Sequence, residues 1–127
     1  MNPLVDEWVV KAEGDFVTAR RERFARRSPN YDAACFHAQQ MAEKYLKAFL
    51  QSNQIHPPRT HDLVDLLFLY QNIDQTFALI ESDIKGLSGY AVGVRYPGTT
   101  VGKDDAVQAV SQALIVRIFL RDKLGLP

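Results

Sequence analysis

CFHAQQMAEKYLKAF, residues 35–49, decides the architecture. With Ala34 just ahead of it, Ala38, Met41, Tyr45, Ala48 and Phe49 recur three and four residues apart, the spacing of one face of an α-helix. The predicted helix spans roughly Tyr31 to Ser52. Asn30 is placed to cap its first turn, and Asp32 sits where a negative charge meets the positive helix end. Ala34, Ala38 and Ala48 are small enough to let a neighbouring helix approach closely. Glu43 and Lys47 stand four apart in the favourable order, which adds a few tenths of a kcal/mol on an exposed face. An apolar stripe this long must be covered, and the segments on both sides of it can do so.

Upstream, a helix is expected from Asn2 or Pro3 to Arg26. Pro3 suits a first turn, where its missing N–H has no helical partner to lose. Val5, Trp8, Val9, Ala12, Phe16 and Ala19 form its apolar face, and Gly14 weakens its middle. Ser28-Pro29-Asn30 then turns the chain. Downstream, PPRTHDLVDLL at residues 57–67 opens a short helix from about His61 to Tyr70, with Thr60 as its cap. Leu63, Leu66, Leu67 and Tyr70 supply its apolar side.

A fourth helix is expected after Asp74, because Phe77, Ile80, Ile84, Leu87, Ala91 and Val94 keep helical spacing. Gly86, Gly89 and Gly93 oppose it on propensity, so they mark close packing or a frayed end. RYPGTTVG, residues 95–102, reads as a loop. A last helix runs from Lys103 or Asp104 to about Leu124, with Ala106, Val107, Val110, Ala113, Leu114 and Ile118 as its buried stripe. Short connections favour antiparallel neighbours. The expectation is an all-α, up-and-down antiparallel bundle of about five helices, forming one domain over residues 1–127. At 14.4 kDa its folded surface should be roughly 7,000 Å², against about 21,000 Å² for the extended chain.

Fifteen basic and fifteen acidic residues cancel, so net charge gives no long-range pull toward nucleic acid. Arg20, Arg21, Arg23, Arg26 and Arg27 nevertheless crowd the end of the first predicted helix. They read as a solvated, dipole-matched helix end, with phosphate, RNA or an acidic protein as the alternative partners. The single cysteine, Cys35, excludes an intrachain disulfide and reads as a small core residue. Neither a signal peptide nor an apolar run long enough to cross a membrane is present, so a cytoplasmic protein is expected.

No Ser/His/Asp set, Gly-rich phosphate loop or zinc-ligand spacing is visible, and no metal or cofactor is expected. Arg95 leads the candidate ligand contacts, since a guanidinium grips phosphate with two donors. Tyr96 beside it can stack on a base or donate a hydrogen bond. His61 can pair with a carboxylate such as Asp65, and a His/carboxylate pair can act as a base beside a nucleophile. His37 can face a groove with Lys44. Structural readings stand beside each of these: an ion pair anchoring the loop for Arg95, capping for His61, core or interface packing for His37. Tyr31, Tyr45, Tyr70 and Tyr90 read as packing residues rather than a stacking platform.

The order of segments resembles the HEPN domain family over nearly the whole chain, most of all its small bacterial and archaeal members. The resemblance rests on W-x3-A-x2-D-x3-A at Trp8, Ala12, Asp15 and Ala19, then FHAQQMAEKYLKAFL, then PPRTHDL, then Arg95-Tyr96-Pro97 before a last long helix. It implies an all-α domain that commonly dimerises and often accompanies a minimal nucleotidyltransferase, in some cases as a toxin–antitoxin-like pair. Many members cleave RNA through an Arg, a polar residue and four to six further residues before a His, shared across the dimer. Here residues 96–127 contain no His, so that pattern is incomplete. The expected function is a non-catalytic dimer that binds a nucleotidyltransferase partner, nucleotide or RNA. The alternatives are a ribonuclease with a non-standard site at Arg95 and His61, and a purely structural interaction bundle.

Overall fold

A computed structural model describes residues 2–91 and 93–127, with the Arg95 side chain outside the described part. It is an up-and-down bundle of five α-helices: α1 (Pro3–Phe24), α2 (Tyr31–Ser52), α3 (Leu63–Ile73), α4 (Glu81–Ser88) and α5 (Lys103–Lys123). No strand occurs among the described residues. The accessible surface is 7128 Å², the value expected for a compact chain of this mass.

α2 is the central helix, and 13 of its 22 residues are buried, so even its polar side is covered. Its strongest packing is on α1 and on α5. The Asn30 side chain caps it as expected, accepting the Ala33 N–H at 2.9 Å. Asp32, in the first turn, also accepts the Val101 N–H at 3.2 Å, which ties the loop before α5 to the head of α2. Phe49, Tyr70, Phe77 and Phe119 gather where α2, α3 and α5 meet, with neighbouring ring centroids 4.8–5.9 Å apart. That spacing is the range in which aromatic pairs attract beyond their area. Cys35 is buried, and burial pushes its thiol up to about 12, with Asp105 and Asp32 adding to the effect.

Three expectations are corrected. α3 is capped by Asp62, which accepts from Val64 and Asp65, while Thr60 accepts from the Asp62 N–H one step earlier. The expected fourth helix is divided into a 3-10 segment (Gln75–Ile80), α4, and a 3-10 turn (Gly93–Arg95). Phe77, Ile80, Ile84 and Leu87 are nonetheless buried, because a step of three suits the 3-10 segment and steps of three and four suit α4. Gly86 is a close-packing position: a Cβ there would collide with the Gln112 amide of α5. Finally, Leu114 and Ile118 are exposed in the single chain, and Ala109, Val116 and Leu120 take the buried places on α5.

The reason for that last shift is a polar seam. Arg117 donates two hydrogen bonds to Glu13 of α1, at 2.7 and 2.8 Å. Tyr45 donates to the same carboxylate at 2.5 Å, and Arg121 donates to the Tyr45 hydroxyl at 3.0 Å. Turning Arg117 toward α1 rotates Leu114 and Ile118 outward. The Arg117 hydrogen bond holds the Glu13 carboxyl below its ordinary 4.5, against the opposing effect of burial. A lowered native pKa stabilises the fold above the unfolded value, and that stability disappears as pH falls through the native one. Glu13→Gln should therefore cost about 1 kcal/mol at pH 7, a charge-assisted bond discounted for partial exposure. Urea melts at pH 7 and pH 3 check this: the gap between variant and parent should shrink at the lower pH.

The Tyr70 hydroxyl is buried without a hydrogen-bond partner. Burial, with the nearby Glu43 charge, raises its pKa well above the usual 10.0. An orphaned buried hydroxyl costs about 1–3 kcal/mol. Tyr70→Phe keeps the ring stack and should leave the melting temperature unchanged or raise it by a few degrees.

Candidate functional site

The polar side of α2 carries two ionic clusters, one part-buried against the middle of α1 and one buried beneath the loop before α3. In the first, Asp15 of α1 lies on the buried face with a side chain 10% exposed. It bonds the His37 ring Nδ1 at 2.7 Å and accepts from the Lys44 Nζ at 2.5 Å. His37 and Lys44 are seven residues apart, two turns on one face, so a single carboxylate can hold both. The structure brings His37 and Lys44 together around Asp15, an acid that sequence reasoning did not assign to them.

In the second, Glu43 and Lys47 are almost fully buried and paired at 3.1 Å. This corrects the expectation of an exposed helix-surface pair. His61 Nδ1 lies 3.0 Å from Glu43, so its carboxylate partner is Glu43 of α2 rather than Asp65. Gln39, also buried, donates to the His61 carbonyl at 3.2 Å, pinning the α2–α3 loop to α2. The His61 ring itself stays largely exposed. Lys47 also lies 5.7 Å from the Trp8 ring.

Two cavities flank these clusters. The larger, about 530 Å³, lies between the first turns of α1, the last turns of α2 and residues 56–59 of the loop. The smaller, about 300 Å³, is lined by Asn30, Asp32, Phe36, His37 and Val94. Val94 places the 3-10 turn that includes the Arg95 backbone beside His37. The expectation of a phosphate grip by Arg95 lies outside the described residues, and Tyr96 is exposed. The arginines of the basic patch lie at and just beyond the end of α1, where Arg23 stacks on Phe24 at 4.1 Å. Among the described residues no group of His, Cys, Asp and Glu could hold a metal ion, and no helix is long and apolar enough to cross a membrane.

The HEPN domain family matches residues 5–123. The chain belongs to the HEPN domain family. Two solved structures share this HEPN architecture. TT1696 from Thermus thermophilus is 24% identical, with a TM-score of 0.77, over 97% of this chain and 99% of the other. ST0689, an archaeal HEPN homologue, is 27% identical, with a TM-score of 0.71, over 94% and 96%. No curated protein matches the chain.

Sequence reasoning missed the Asp15 and Glu43 hubs, yet a signal was present. Asp15 interrupts the apolar stripe between Ala12 and Ala19, and an acid on a buried face requires a partner. The two clusters should differ sharply from their exposed rims. Glu43→Ala leaves Lys47 as an uncompensated buried charge and should cost about 3–5 kcal/mol. His61→Ala should cost under about 1 kcal/mol, because its ring is solvated. Chemical denaturation of both variants checks the contrast, and equal losses would contradict it.

Proposed function

We propose that the chain is a non-catalytic HEPN module that acts in the cytoplasm as a homodimer. In this reading it binds a minimal nucleotidyltransferase partner, together with nucleotide or RNA, in a toxin–antitoxin-like pair. The observation that carries the non-catalytic reading is that all three histidines, His37, His56 and His61, precede Arg95. The family's Arg-to-His cleavage pattern cannot be completed downstream. Two of those histidines are also committed to buried carboxylates, Asp15 and Glu43.

Self-association is supported by the α1–α5 face. Val10 and Val17 on α1 and Leu114 and Ile118 on α5 are exposed, and they flank the Glu13–Arg117 pair. Exposed apolar side chains grouped on one face are a mark of an interaction surface. The dimer buries this face in full.

A ribonuclease reading draws on one specific feature, the His61–Glu43 pair, which has the form of a general base. Incubation with structured and unstructured RNA separates the two. The binding reading expects no cleavage beyond that of an Arg95→Ala control, and Arg95-dependent cleavage would overturn it. For the dimer, light scattering should give twice the chain mass. Ile118→Glu, on an exposed position, should weaken association by about tenfold or more with folding intact.

A further inference from the structure

The larger cavity combines features that neither fold stability nor the ionic clusters explain. Trp8 is only half-buried and stands outside the core cluster, although its spacing places it on the apolar stripe of α1. Its ring instead lines the cavity, with Lys11 one turn further along the same helix face. Lys47 enters from α2, and Pro57 and Arg59 enter from the loop. Three cations, Lys11, Lys47 and Arg59, therefore face the cavity against one carboxylate, Glu7.

Lys47 matters most. Its side chain is 7% exposed, yet it reaches the cavity, and its one described hydrogen bond goes to Glu43. An ammonium has three donors, so further N–H groups remain for a ligand. A volume of about 530 Å³ falls within the size of small-molecule sites. The apolar walls are Trp8, Leu4, Pro57 and Pro58, and Lys11, Lys47 and Arg59 make the lining cationic. An indole and a proline accept a planar ring, while an arginine and lysines accept a phosphate.

We infer that this cavity binds a ligand joining a planar heteroaromatic ring to a phosphate. Such a ligand comes either as a free nucleoside monophosphate or as the 5′-phosphorylated end of an RNA chain. The ring lies against Trp8 and Pro57, and the phosphate sits between Arg59 and Lys11, with Lys47 beneath. The basic patch at the far end of α1 is a separate surface, some 20 Å away along the helix. The assignment deepens the nucleotide-binding reading given above and rests on it.

Trp8 is the sole tryptophan of the chain, so its fluorescence reports on this cavity alone. The intact protein is titrated with adenosine monophosphate, adenosine, ribose 5-phosphate and a short 5′-phosphorylated RNA, by fluorescence and by calorimetry. Adenosine monophosphate should quench Trp8 saturably. Adenosine and ribose 5-phosphate should each bind at least about tenfold more weakly, because each lacks one of the two recognised parts. The double variant Lys11→Glu, Arg59→Glu changes exposed residues and should lose about tenfold or more in affinity while keeping the parent's circular dichroism. Tighter binding of the RNA assigns the ligand to a chain end, and equal or weaker binding assigns it to a free nucleotide. Heat of nucleotide binding without any Trp8 response, and unchanged in the double variant, would overturn this cavity and leave the nucleotide-binding reading standing. Absence of both heat and quenching would overturn both.

Discussion

The constraint on which the structure depends is the near-complete enclosure of α2. A helix covered by α1, by α5 and by the loop that follows it cannot leave its charges to water. Glu43, Lys47, His37 and Lys44 must therefore find partners inside the protein, and Asp15 and His61 supply them. Desolvating such groups costs several kcal/mol each, and their mutual attraction offsets this only with close geometry. The short distances around Asp15 and Glu43 meet that requirement. The same enclosure explains the lone thiol. Cys35 is held neutral by burial and by two nearby acids, so it acts as a small apolar group.

The cavities lie where the enclosure ends. At one end of the α1–α2 pair the helices part around Trp8 and residues 56–59, leaving a cationic cavity with an aromatic wall. At the other end a smaller cavity joins His37 to the turn before Arg95. Between them the ionic clusters form continuous polar backing, with Lys47 belonging both to a cluster and to a cavity. The α1–α5 side presents a different chemistry, apolar residues grouped around the Glu13–Arg117 bridge. The proposed binding module, with separate faces for ligand and for self-association, draws on both surfaces.

Much of this was legible in the residues. The three-and-four spacing through residues 34–49 gives α2 to its last residue, and the order of segments gives the family. Two things were not legible. Periodicity finds an apolar stripe but does not say which neighbour covers it, so Leu114 and Ile118 read as core when Arg117 turns that stripe outward. Local spacing found the Glu43–Lys47 pair but not its burial, and it favoured Asp65 as the partner of His61. The true pairing of His61 crosses eighteen residues of chain, and that of His37 with Asp15 crosses twenty-two. Only tertiary packing selects such pairs. The glycines carried correct information that the apolar spacing outvoted: α4 ends at Ser88 with Gly89 as its cap, and Gly93 opens the 3-10 turn.

Small side chains recur where α1 and α2 meet: Ala12 and Ala19 on one helix and Ala34, Ala38 and Ala42 on the other are all buried. Two smooth rods of this kind could slide past each other by a full turn with little change in contact area. Asp15 forbids the slip, because moving it by one turn would strand both His37 and Lys44. The ions around Asp15 thus act as a key cut to one position, fixing alignment as well as holding the bundle.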